Sequence, residues 1–252
     1  GWDSNSDNKV GATEKPRGHG ANRRAKAFRS SLPITLEVAF IGEDIVDYKS
    51  ARHQIAALGA EGPELMTVID ELGTMSRLVT IEHTDIPDDH GWASQDGISI
   101  DMTAEDPRKY GLPQTDTTGL PTPGTGLVYP IVYPLDWGQP GEGGSISLTN
   151  MGTAAAAPVF RVEGGLSSVT ITESGTGKRL ILNRPIPVGS VVEFDGRTRR
   201  VTLDGVTDIS STFLTRREWP LIAPGHTSTF LFSGTSTGGV PSLTGELQSA
   251  WW

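Results

Sequence analysis

Cysteine is absent from the 252 residues, so a disulfide framework, a zinc-thiolate site and a catalytic thiol are all excluded. Stability is left to packing and association. Long apolar runs are missing too. No stretch approaches the roughly 18 residues of a membrane span, and the opening GWDSNSDNKV lacks the charged and apolar regions of a signal peptide. A soluble chain with no membrane insertion and no readable address is expected. Positive charge is scarce: 21 Lys and Arg stand against 30 Asp and Glu, a net charge of −9. An acidic protein gains nothing from a phosphate backbone, which disfavours nucleic-acid binding as the main function. Gly (31) and Pro (17) are plentiful, and suit short strands joined by many turns. The length accommodates two domains with cores of their own, and the composition points to a mostly β chain.

The acidity is uneven. Up to Leu112 there are 12 Lys and Arg against 19 Asp and Glu, and beyond it 9 against 11. Within the acidic half, residues 9–29 carry Lys9, Lys15, Arg17, Arg23, Arg24, Lys26 and Arg29, with only Glu14 as counter-charge. This basic, Gly-rich arm reads either as a solvated flexible loop or as an extension that docks on an acidic neighbouring subunit.

After the arm, Leu32, Ile34, Leu36, Val38 and Phe40 alternate with other residues, the period of a strand with one face in a core. DYKSARHQIAAL, residues 47–58, spaces Tyr48, Ala51, Ile55 and Leu58 for one face of an amphipathic helix, with Gly59 as its C-terminal stop. LMTVIDE and SRLVTIEH flank a connection around Gly73, and Ile98, Ile100, Met102 and Ala104 alternate again. The first domain, residues 1–112, is expected to be a small sheet or barrel with one helix. Residues 111–126, GLPQTDTTGLPTPGTG, lack apolar periodicity and read as an extended connector, placed at 113–126. The second domain, 127–252, offers LVYPIVYPL, SISLT, APVFRV, SVTIT, RLILN, VVEF, RRVTL, STFLF and LQSAWW, the strand spacing of an antiparallel sandwich. Asp195-Gly196 is the expected type I′ hairpin turn between VVEF and RTRRVTL.

Signals of chemistry are weak. Gly234-Thr235-Ser236-Thr237-Gly238 matches G-x-S-x-G, but a nucleophile elbow needs a helix after the serine. GVPSLTG is a poor helix start, so a turn between strands is the better reading. His83, Asp85, Asp88, Asp89 and His90 fall close together without the rigid spacing of a metal motif, and read as a solvated acidic loop. Carboxylate pairs among 30 acidic residues carry no weight. Tyr129, Tyr133, Trp137, Trp219, Trp251 and Trp252 all lie in the second domain and leave open a carbohydrate-binding module, although packing or burial at a subunit contact accounts for them better. No catalytic residue, cofactor or metal site is assigned.

The order of features resembles the distal tail proteins of long-tailed, siphovirus-type bacteriophages. The resemblance runs through Gly1-Trp2, the basic loop leading to Arg29, the helix, AEDPRKYG with Asp106, Pro107 and Tyr110, and the Pro-rich connector with its YP repeat. In the second domain it continues through NMGTAAAAPVFRVEG, TGKRLILN, VGSVVEFDGRTRRVTLDG, REWPLIAPGHTSTFLF with Trp219, Pro224 and Gly225, and the final Trp251 and Trp252. Such proteins usually have a strand or two before the Gly-Trp, which this sequence does not show. The resemblance implies a structural protein of the virion, located at the tail tip and assembled in the host cytoplasm, with no enzymatic activity. It implies a hexameric ring that joins the tail tube protein to the tail-tip or baseplate hub protein and can meet the tape measure protein. In that ring the first domain lines a channel through which DNA passes without specific binding, and a galectin-like antiparallel β-sandwich projects outward. An acidic first domain around a channel would repel passing DNA.

Overall fold

The computed structural model describes residues 2–9, 17, 19, 28–71, 73–87, 94–124 and 141–252. Among them the chain is mostly β with one helix, and it divides into two compact units, Gly1–Tyr110 joined by Trp252, and Gly111–Trp251.

In the first unit, strand β1 (Leu32–Ile41) pairs antiparallel with β4 (Ser94–Ala104), β4 with β3 (Gly73–Asp85), and β3 with β2 (Glu64–Asp70). The alternation read in β1 is real at its start, where Leu32 and Ile34 are buried opposite Ala104 and Met102. It weakens further on: Leu36 is 40% exposed, and a bulge between Val38 and Phe40 shifts the pairing. The core is Leu32, Ile34, Val79, Ile98, Ile100, Met102 and Ala104, which includes all four apolar residues read as one face of β4. Each such side chain contributes about 1.5–3 kcal/mol when fully buried.

Helix α1 spans Ile45–Ala56 rather than residues 47–58. Asp44 fixes its start, its Oδ1 accepting from the backbone N–H of Val46 and of Asp47, both at 2.8 Å, a capping interaction worth about 1 kcal/mol. The helix ends at Ala56 with Ala57 as its cap, earlier than the stop read at Gly59; Gly59 lies in the turn that follows, where φ is +77° and a Cβ would lie 2.8 Å from Ile81 Cβ. Of the expected apolar face only Tyr48 is buried, while Leu58 is 41% exposed. The helix is held by a polar network instead. Tyr48 stacks on Phe40 at 5.4 Å and donates its hydroxyl hydrogen to Gln95 Oε1 at 2.9 Å. Arg52 Nη1 donates to the same oxygen at 3.0 Å and to the carbonyl of Pro87 at 3.1 Å.

The second unit carries two antiparallel layers. In one, β5 (Lys109–Gly119), β15 (Ser242–Trp251), β7 (Val159–Glu163), β10 (Val191–Asp195), β11 (Arg200–Leu203) and β12 (Thr207–Asp208) follow one another. In the other the order is β13 (Leu214–Arg217), β9 (Arg179–Leu182), β8 (Leu166–Glu173), β14 (Thr227–Ser236) and β6 (Ser145–Thr149). Alternate residues of both layers are buried, and Phe160 meets Phe230 edge to face at 4.9 Å. Two readings change. Residues 111–119, read as connector, form most of β5. The β10–β11 turn is a four-residue loop in which Asp195 pairs with Arg200 and the positive φ (58°) falls on Arg199, not on Asp195-Gly196. Asp195 Oδ1 accepts from Arg197 N at 2.8 Å and Thr198 N at 3.3 Å, a local side-chain turn that sequence pattern does not separate from a two-residue hairpin. LVYPIVYPL lies outside the described residues.

Candidate functional site

The features that stand out as candidates for contact with other molecules are strand edges, the base of the arm and one cluster of charges. An unpaired edge presents a row of backbone donors and acceptors to any other strand. Among the described residues β1 pairs with β4 alone and β2 with β3 alone, so the first unit has two such edges, ten and seven residues long. Leu65, Ile69 and Leu78 also stand exposed on one face of the β2–β3 hairpin, Leu65 directly opposite Leu78.

The second unit treats its edges differently. Along β6, Gly144, Ser147 and Thr149 donate their backbone N–H to Thr118 Oγ1 (2.9 Å), Asp116 Oδ2 (2.7 Å) and Gln114 Oε1 (3.2 Å). Three alternate side chains of β5 thus close an edge of the opposite layer. At the other ends of the two layers, β12 has two residues and β13 has four with a register shift. Short and bulged edges resist further pairing.

The arm begins from a closed base. Lys9 N donates to the carbonyl of Phe28 at 2.7 Å and Ser30 N to that of Asp7 at 2.9 Å. Arg29 donates through Nη1 to Asn5 Oδ1 at 3.1 Å, and its Cζ stands 4.7 Å from the centre of the Trp252 ring. Arg17 is exposed, while Lys15, Arg23, Arg24 and Lys26 lie outside the described residues.

The positions carried by the family resemblance converge in the first unit around a residue that sequence reading missed. Trp2 has two cations against its ring, Arg77 Cζ at 4.9 Å and Lys109 Nζ at 5.1 Å from the ring centre. Lys109 Nζ pairs with Asp3 at 2.5 Å, which holds the Asp3 carboxyl below its ordinary range. Arg77 is 1% exposed, and its Nε and Nη1 have no hydrogen-bond partner among the described residues. Burial pushes its guanidinium down from its ordinary value, against the pull of Asp3 and Asp106. Asp106 is engaged elsewhere: Arg108 donates to both its oxygens, from Nε at 2.9 and 3.1 Å and from Nη2 at 2.6 Å, and the Tyr110 hydroxyl donates at 2.6 Å. Burial acts to raise the Asp106 pKa, but these donors outweigh it and hold the carboxyl below its ordinary range. Pro107, between these partners, is half-buried. The signal for Arg77 was a lone arginine inside an apolar alternation, SRLVTIEH, which sequence alone also allows on a solvent face.

The remaining positions are structural. Gly225 adopts φ +68° and donates N–H to the carbonyl of Asn150 at 2.8 Å, while Pro224 O lies 2.8 Å from His226 Nδ1. Asn150 is wholly buried and donates from Nδ2 to Ala154 O (2.7 Å) and Ile222 O (3.0 Å). Trp219 is half-buried. The Trp251 ring lies so close to Gly111 that a Cβ there would sit 2.9 Å from it, and Trp252 is 44% exposed. Ser236 ends β14, and the chain turns into β15 rather than into a helix, so the hydrolase geometry is not formed. His83 and Asp85 are exposed on β3, Asp88, Asp89 and His90 lie outside the described residues, and among the described residues no three potential metal ligands gather. Tyr129, Tyr133 and Trp137 also lie outside the described residues.

Residues 151–240 match the family model described as the siphovirus-type tail component, C-terminal domain. No curated protein matches the chain. Among solved structures, the Dit protein of phage SPP1, described as a paradigm of the hub adsorption apparatus in Gram-positive infecting phages, is 13% identical. It aligns over 99% of this chain and 90% of its own with a TM-score of 0.64. The baseplate of phage P2 in its activated conformation with calcium contains a chain 9% identical, covering 96% of this chain and 86% of that one at a TM-score of 0.56. The strontium form gives 9%, 95%, 86% and 0.52. Residues 151–240 are thus similar to a siphovirus-type tail component domain. The chain as a whole has the fold of the SPP1 Dit protein over nearly all its length, the fold that the sequence resemblance implies.

Proposed function

We propose that the chain is the distal tail adaptor of its phage: copies close a hexameric ring through their first units, joining the tail tube protein to the tail-tip or baseplate hub protein and meeting the tape measure protein. The ring assembles in the host cytoplasm, lets DNA through its channel and performs no chemistry. The observation that carries this is the contrast between open edges in the first unit and closed or short edges in the second. The pairings of β1 with β4, of β4 with β3 and of β3 with β2 are each antiparallel, so β2 runs opposite to β1. The β2 edge of one copy can therefore pair antiparallel with the β1 edge of the next, and the same contact repeats around a ring. A heterologous contact of this kind closes without leaving an edge over. The excess of 19 carboxylates over 12 basic residues up to Leu112 suits a wall past which DNA slides. The basic arm, residues 9–29, reaches an acidic neighbour. Native mass spectrometry tests the reading: an assembly near six times 26.8 kDa is expected, and a chain that stays monomeric at every concentration is inconsistent with it.

A further inference from the structure

The Trp2 cluster is one carboxylate short. Arg77, Arg108 and Lys109 bring three cations to it, and Asp3 and Asp106 bring two carboxylates, each held by another residue: Asp3 by Lys109, Asp106 by Arg108 and Tyr110. Arg77 is left buried with two of its nitrogens, Nε and Nη1, unpartnered among the described residues. Guanidinium is normally buried only with its fork of donors matched to a carboxylate or similar anion, and an unmatched one is costly to keep. The Trp2 ring stands 4.9 Å from Arg77 Cζ and belongs to no strand. A ring so placed can shift aside more easily than the strands.

We propose that Arg77 is a docking socket for a carboxylate of a second copy of this chain, which enters when Trp2 moves aside on assembly. The occupant is argued from charge. The donors wanting a partner belong to one guanidinium, and the chain carries 30 carboxylates against 21 basic residues, most of the excess in the half that holds the socket. This inference rests on the ring reading, since it names one contact of the subunit interface. It also accounts for a buried charge that weakens the isolated copy: the socket is incomplete until a neighbour fills it.

The test measures folding and assembly separately, on the full chain, for wild type, Arg77→Met and Arg77→Lys. Arg77→Met replaces the unmatched cation with an apolar chain of similar length. The expected result is a monomer melting at or above the wild-type temperature together with at least about tenfold weaker self-association, a pairing that a purely structural arginine would not give. Arg77→Lys, which keeps the charge and loses the fork, should fall between the two in association, and it decides the matter if Arg77→Met does not fold. A wild type that assembles alongside variants that assemble equally well would overturn the socket and leave the ring reading standing. A wild type that never associates would overturn both. Acetate added at constant ionic strength separates the remaining source: a melting temperature raised in wild type and unmoved in Arg77→Met would assign the site to a free anion and overturn the docking proposal.

Discussion

Asp116 Oδ2 accepts the backbone N–H of Ser147 at 2.7 Å, so a side chain of β5 occupies a position where a neighbouring strand would otherwise supply a carbonyl. Removing it leaves that donor to water or to another chain. Asp116→Ala should cost the second unit about 1 kcal/mol and raise its tendency to aggregate, while Asp116→Asn, which keeps an acceptor, should do neither. Urea unfolding read beside light scattering checks both effects, and equal aggregation in the two variants would remove the sealing role.

The Asp106 carboxyl is held below its ordinary value of 3.8; burial opposes this and the Arg108 and Tyr110 donors overcome it. A depressed folded pKa adds stability that is complete above the unfolded value and is lost as the pH falls below it toward the folded one. Acid titration of wild type and Asp106→Asn should therefore show the wild type losing an advantage below about pH 4. Parallel acid limbs in the two proteins would contradict it.

Trp251 and Trp252 are consecutive, and their surroundings differ. Trp251 packs against Gly111, whereas Trp252 is 44% exposed and carries Arg29 over its ring at 4.7 Å. Trp251→Ala should destabilise the second unit by about 2–3 kcal/mol, somewhat less than a fully buried aromatic. Trp252→Ala should cost about 0.5–1 kcal/mol and act on the arm, seen as faster proteolysis near Phe28 and weaker assembly. Equal and small effects from both would refute the division.

Charge reversal in the arm, with Arg17, Arg23, Arg24 and Lys26 changed to Glu, should weaken oligomerisation and leave thermal unfolding of the monomer unchanged. Rim ion pairs are worth about 0–1 kcal/mol each and are screened by salt, so the wild-type assembly should itself loosen as ionic strength rises. If variant and wild type assemble alike at every salt concentration, the arm is a solvated loop.

How much of this was legible depends on what kind of pattern each residue makes. Strands with one apolar face, such as Ile98 to Ala104 in β4, announce themselves by alternation. Strand β5 also alternates, but in hydrogen-bond acceptors: Gln114, Asp116 and Thr118 face the β6 edge, and a polar period of two flanked by Pro and Gly reads as linker. The helix was visible, yet its boundary was set by Asp44, a cap that lies before the apolar spacing begins. Trp2, Asp106 and Tyr110 were picked out by sequence order alone. That they share a neighbourhood with Arg77 depends on the tertiary fold, which brings Trp2 and Arg77 together across the sequence and which no local pattern encodes.

The position of β15 in its layer has a consequence for biosynthesis. It fills the place between β5 and β7, both of which leave the ribosome far earlier. Until translation has passed Trp251, a nascent second unit has an open slot in mid-sheet, and the Trp251 packing over Gly111 is missing. Domains normally fold as they emerge; this one has to wait. A chain cut short by premature termination cannot close the sandwich and is left for proteases, so only polypeptides translated through Trp251 supply a finished second unit.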